Sequence, residues 1–146
     1  MILFLDTSAL VKLFHAEEGN VGVIEWVETA EHIAMLDLAR LEFMSVLQRR
    51  FRNKELTNAD MTILLDGFQE RWLTYQIQPI NHQVVDEAEK LLLTYGDRFG
   101  LRTLDALHAA AFALIAEKDW HFVAADRNLC LVIAELGFSV LNPLES

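Results

Sequence analysis

Five short apolar runs, at residues 2–5 (ILFL), 32–36 (HIAML), 77–80 (IQPI), 121–125 (HFVAA) and 138–141 (FSVL), are set apart by longer segments whose apolar residues recur every three or four positions. A strand buried on both faces reads as a continuous apolar run, whereas a helix lying on a sheet shows the 3.6-residue period. The alternation predicts an α/β layered fold with a mainly parallel sheet. LARLEFMSVLQRRF places Leu38, Glu42 and Val46 on one helical face, and TNADMTILLDGFQERWLTY opens with Thr57 and Asp60 in capping-box spacing. NHQVVDEAEKLLLTYG is expected to stop at Gly96, TLDALHAAAFALIAEKD to be capped by Thr103, and DRNLCLVIAELG to close at Gly137. No repeat, low-complexity tract or linker interrupts the pattern, and residues 1–146 are expected to form one domain.

The longest uninterrupted apolar stretch, 109–116, is far shorter than the ~20 residues a spanning helix needs, so no membrane partner is expected. Neither a basic segment nor a small-residue cleavage site accompanies the first apolar run, which argues against a secretory leader. The single cysteine, Cys130, rules out an internal disulfide, fits a reducing cytoplasm, and reads as packing in LCLVIAEL. With 12 basic and 22 acidic residues the formal charge is −10, so binding to nucleic acid needs a local basic patch or metal ions. The densest basic run is QRRFRNK, with Arg49, Arg50, Arg52 and Lys54; it suits RNA phosphates, an acidic partner segment, or a solvated helix end.

Four acids stand in places where acids are unexpected. Asp6 and Asp126 each follow directly on a strand-like run, the edge of a parallel sheet where ligands gather, while Glu42 and Asp105 interrupt apolar helix faces. Each has an ordinary reading. Asp6 and Asp126 suit helix caps, Asp105 suits a first turn, and Glu42 is spaced to pair with Arg49 or Arg40. Together they also fit a site for Mg²⁺ or Mn²⁺, because desolvated carboxylates stay ionised around a hard divalent cation that prefers oxygen ligands. His108, one turn beyond Asp105, is placed to approach these acids, but reads first as a semi-buried histidine with its hydrogen bonds satisfied. No HExxH, Walker A or GxGxxG pattern is present.

ILFLDTSALVKLF, LARLEF, LRTLDALHAAAF and HFVAADRNL followed by LNP occur in this order over essentially the whole chain. The ordered set resembles the successive motifs of PIN-domain ribonucleases of the VapC toxin type. That resemblance implies a three-layer α/β/α sandwich around a mainly parallel sheet, and a cytoplasmic, metal-dependent endoribonuclease leaving 5′-phosphate and 3′-hydroxyl ends. It also implies a catalytic quartet of Asp6, Glu42, Asp105 and Asp126, with Ser8 as the small hydroxyl that bonds a ligand or a bound water. Partners implied are an RNA substrate and a cognate antitoxin; a second copy of the chain is expected from the apolar share of 53%, more than one small domain readily hides. Glu42 is then a metal ligand, the holder of a metal-bound water, or a base. The rival readings are a receiver-like metal-binding module, a related DNA nuclease, and a catalytically silent interaction module; the receiver reading lacks the adjacent acids and late lysine it needs.

Overall fold

The computed structural model describes residues 1–145. Five parallel strands, β1 (Ile2–Leu5), β2 (His32–Leu36), β3 (Gln76–Gln78), β4 (Trp120–Val123) and β5 (Ser139–Leu141), form one sheet in the order β3-β2-β1-β4-β5. β1 is central and pairs along Ile2↔His32 on one side and Ile2↔Trp120 on the other. The expected strand runs are all present, and the third stops at Gln78 because Pro79 has no N–H to give a ladder.

Side chains along β1 alternate between two cores. Leu3 and Leu5 point to the face covered by α1 (Thr7–Phe14), α3 (Leu38–Arg52) and α4 (Asn58–Trp72), where Phe43 stacks on Phe68 at 4.2 Å between centroids. Phe4 points to the opposite face, under α5 (His82–Phe99), α6 (Thr103–Ile115) and α7 (Arg127–Glu135), and meets Phe112 and Phe122 at 5.5 and 5.8 Å. Period-two alternation on a strand that is apolar at every position demands a helical layer on each side. The result is the three-layer α/β/α sandwich. α2 (Asn20–Thr29) packs beside α1 at the sheet's edge.

From β1 the chain builds outward through β2 and β3, then crosses beneath the sheet through α5 and α6 to lay β4 on the other edge of β1. The order therefore reverses between β1 and β4, and the crevice beyond their carboxyl ends is the natural ligand position. Asp6 and Asp126 sit there, one residue after β1 and three residues after β4.

The Thr57–Asp60 capping box forms in full, with both reciprocal bonds in place. Three expected boundaries are corrected. Gly96 does not end its helix; α5 runs on to Phe99, and Gly100, at φ +64°, takes the left-handed turn that lets the chain leave. Thr103 is the first residue of α6 and not its cap: Arg102 holds the cap position and no side chain closes it. α6 also stops at Ile115, short of the expected Asp119, with Ala116 already extended.

The two glycines are thereby separable. At Gly96 an added Cβ meets only the Leu101 carbonyl at 3.8 Å, so Gly96→Ala should stabilise by about 0.5–1 kcal/mol. Gly100→Ala meets nothing within 4 Å but must hold a positive φ, and should cost about 1 kcal/mol. Urea denaturation of the two variants checks the pair of signs.

Candidate active site

Asp6 begins as a helix cap. Its backbone is extended, its Oδ1 accepts from the Ala9 N–H at 3.0 Å, and so it starts α1. The same oxygen accepts from the Ser8 hydroxyl at 2.6 Å, while Ser8 Oγ accepts from the Ala125 N–H at 2.9 Å. Ser8 thus ties Asp6 to the turn that carries Asp126. A backbone bond from the Asp6 N–H to the Val123 carbonyl, 3.1 Å, fastens the same strand ends together. Asp126 caps α7 through the Leu129 N–H at 3.0 Å. Both strand-end acids are therefore caps, and both also line the crevice.

The two helix acids reach the same place. Asp6, Glu42, Asp105 and Asp126, with Ser8, all line one open cavity of about 470 Å³ at the switch point. Glu42 does not pair with Arg40 or Arg49. Its Oε1 accepts from the Thr7 hydroxyl at 2.7 Å and lies 2.5 Å from His108 Nε2. His108 is 2 % exposed, with Nε2 on Glu42 and its Nδ1 buried without a partner. The sequence alone did not assign Thr7 and His108 to Glu42: they are 35 and 66 residues from it, and only the fold of α1 and α6 over the sheet brings them in. The spacing signal that existed was the single turn from Asp105 to His108.

The charges are in tension. Burial raises the Asp6 carboxyl to about 6, against the pull of His108 and the bonds from Ser8 and Ala9, and Asp105 adds to the rise. Asp105 is also raised, by burial first and then by the charge of Asp126, with Arg102 and His108 opposing. Burial pushes Glu42 up too, but hydrogen bonds from His108 and Thr7 outweigh it and hold Glu42 ionised, below the usual range. Carboxylates that repel one another across an open cavity are the kind of donor a hard cation takes. Among the described residues no group of three His, Cys, Asp or Glu closes round one point.

The PIN domain family model matches residues 3–135, and the chain belongs to this family. It is 32% identical to Ribonuclease VapC47 of Mycobacterium tuberculosis (strain CDC 1551 / Oshkosh) over 97% of each chain. Among solved structures it is similar to Mycobacterium tuberculosis VapC20, described as a sarcin-ricin loop cleaving toxin, with TM-score 0.70 at 16% identity over 97% of this chain and 99% of that one. It is also similar to FitAcB from Neisseria gonorrhoeae, TM-score 0.68 at 18% identity over 100% of both, and to a toxin-antitoxin complex from Klebsiella pneumoniae, TM-score 0.66 at 16% identity over 99% of both.

A raised carboxyl pKa has a definite sign in stability. Because the folded value of Asp6, about 6, exceeds its ordinary value of 3.8, its favourable contribution is complete below pH 3.8 and is lost as pH rises through 6. Asp6→Asn keeps a cap acceptor and removes the charge. In chelator, the variant should match the wild type near pH 3.8 and exceed it by up to about 3 kcal/mol at pH 7. Thermal unfolding across this range checks it.

Proposed function

We propose that this chain is a Mg²⁺- or Mn²⁺-dependent endoribonuclease, the toxin of a toxin–antitoxin pair, working as a single cytoplasmic domain. The observation that carries this reading is the meeting of Asp6, Glu42, Asp105 and Asp126 in one cavity at the β1/β4 switch point. Membership of the PIN family and the likeness to a ribonuclease support it.

Asp6, Asp105 and Asp126 would hold the cation. When bound, it lowers the pKa of a water nucleophile and screens the charge that grows on the phosphoryl oxygens. The protein's own contribution is positional. Ser8 locks the Asp6 carboxylate through Oδ1, leaving Oδ2 for the cation. Thr7 and His108 both engage Glu42 Oε1, so Oε2 is the oxygen free to orient a water and to hold its proton. Glu42 is suited to that work because its hydrogen bonds keep it ionised despite half-burial. Water then attacks in place of the ribose 2′-hydroxyl, leaving a 5′-phosphate and a 3′-hydroxyl.

An antitoxin has a place to lie. Between α1, α2 and α4 runs a groove of about 620 Å³ lined by Leu13, Phe14, Ile24, Val27, Ile63 and Leu64, and Ile63 is 71% exposed. An amphipathic partner helix fits such a groove. Leu41 and Leu73, 70% and 86% exposed on the same layer, add apolar surface for a second copy of the chain. Among the described residues no helix is long and apolar enough to cross a membrane.

The test is cleavage of end-labelled total tRNA by the purified chain in Mg²⁺ or Mn²⁺. Discrete cuts should vanish in chelator, and Asp105→Asn should lower the rate by at least about 100-fold. Cuts that persist in Asp105→Asn sink the reading. Mg²⁺ should also raise the wild-type melting temperature, and Asp105→Asn should abolish most of the rise.

A further inference from the structure

The cavity that gathers the acids has a second wall of opposite sign. Lys12, in the last turn of α1, is 7% exposed, and its Nζ donates to Glu17 Oε1 at 2.9 Å and to the Glu18 carbonyl at 2.8 Å. Arg50, in the last turn of α3, donates from Nη2 to Glu17 Oε2 at 2.6 Å. Arg49 beside it is exposed and has no ion-pair partner among the described residues. All four side chains line the same cavity as Asp6 and Asp105. Against three cations stands one acid, so in a chain of net charge −10 this wall is locally positive.

Two details separate this wall from an ordinary surface ion pair. Glu17 presents one oxygen to an ammonium and the other to a guanidinium, the arrangement in which two non-bridging oxygens of a phosphodiester would be held. Arg50 Nη1 is buried with no hydrogen-bond partner, a donor that Glu17 leaves unused. Glu42, Arg49 and Arg50 share α3, and seven to eight residues at ~1.5 Å each put the basic wall about 10–12 Å along the helix axis from Glu42. A ligand that meets the acids through a cation and this wall directly carries anionic groups at intervals of that scale. A nucleic acid strand does.

We infer that Lys12, Arg49 and Arg50 form a phosphate subsite for the RNA strand a few nucleotides from the scissile bond, and that Glu17 fills this subsite in the free protein until the strand displaces it. The inference rests on the endoribonuclease reading above and adds to it where the strand lies. A phosphodiester offers two non-bridging oxygens, as many as the carboxylate, so the strand gains over Glu17 by bringing a further phosphate to Arg49, which is exposed and has no ion-pair partner among the described residues. Glu17 belongs to the short loop between α1 and α2, so its withdrawal disturbs no strand or helix.

The test measures binding of fluorescein-labelled total tRNA by anisotropy in the Asp105→Asn background, and kcat and KM in the otherwise wild-type chain. Arg49→Ala should weaken binding about tenfold, make the slope of log affinity against log salt shallower by about 0.7, and raise KM with kcat kept. Because Arg49 is exposed and unpaired, the variant carries no folding penalty. Glu17→Gln should tighten binding several-fold. Unchanged affinity and salt slope in Arg49→Ala, or weaker binding in a Glu17→Gln chain that still melts as a folded protein, overturns the subsite. If Arg49→Ala loses binding to poly-glutamate while tRNA binding is intact, the wall serves an acidic protein segment and the inference also falls. These outcomes stand apart from the parent reading, which is judged by whether tRNA cleavage requires the divalent ion and Asp105.

Discussion

A carboxylate that is 5% exposed at the end of the central strand is the constraint around which this molecule is arranged. Asp6 ends β1, starts α1, and takes hydrogen bonds from Ser8 and the Ala9 N–H, yet its burial still pushes its pKa to about 6. A group held so far from its ordinary value is a standing cost to the fold. The cost makes physical sense at a place where charge is wanted. Every other element of the site is placed relative to Asp6: Ser8 carries its position to the β4 turn, Thr7 carries it to Glu42, and α6 brings Asp105 and His108 over the same crevice.

The sheet and both helical layers were legible because burial on two faces leaves an unmistakable mark, apolar at every position of 2–5 and 121–125 except His121. The capping box at Thr57 was legible because it is local. Helix ends were less so. Gly96 and Gly100 are both plausible stops in sequence, and what selects the second is α5 packing along α6, a tertiary effect that local propensity does not contain. The four acids stood out through their spacing and apolar surroundings. Their hydrogen-bond partners did not, since Thr7 to Glu42 and His108 to Glu42 are contacts that only the completed fold creates.

The choice between cap and site, which the sequence left open for Asp6 and Asp126, is no choice in the structure. One carboxylate oxygen of each serves the helix while the residue lines the cavity. Capping fixes the side-chain rotamer, so the placing of these carboxylates in the cavity is a by-product of starting a helix. Glu42 reaches the same end by other means, through Thr7 and His108. The overall acidity of the chain is likewise no obstacle to a polyanionic ligand, because the sign of the field varies within one cavity, from the carboxylates at the strand ends to Lys12, Arg49 and Arg50.

The placement of β4 bears on when such a site comes into being during synthesis. β1 is made first, but one of its two edges waits for residues 120–123, and Ser8 waits for the Ala125 N–H. Asp6 and Glu42 emerge early and have neither Asp105 nor Asp126 near them until α6 and β4 have folded back. A growing chain thus holds half a site for most of its translation. The crossover topology acts as a timer: the four acids do not share a cavity until nearly the whole domain has left the ribosome.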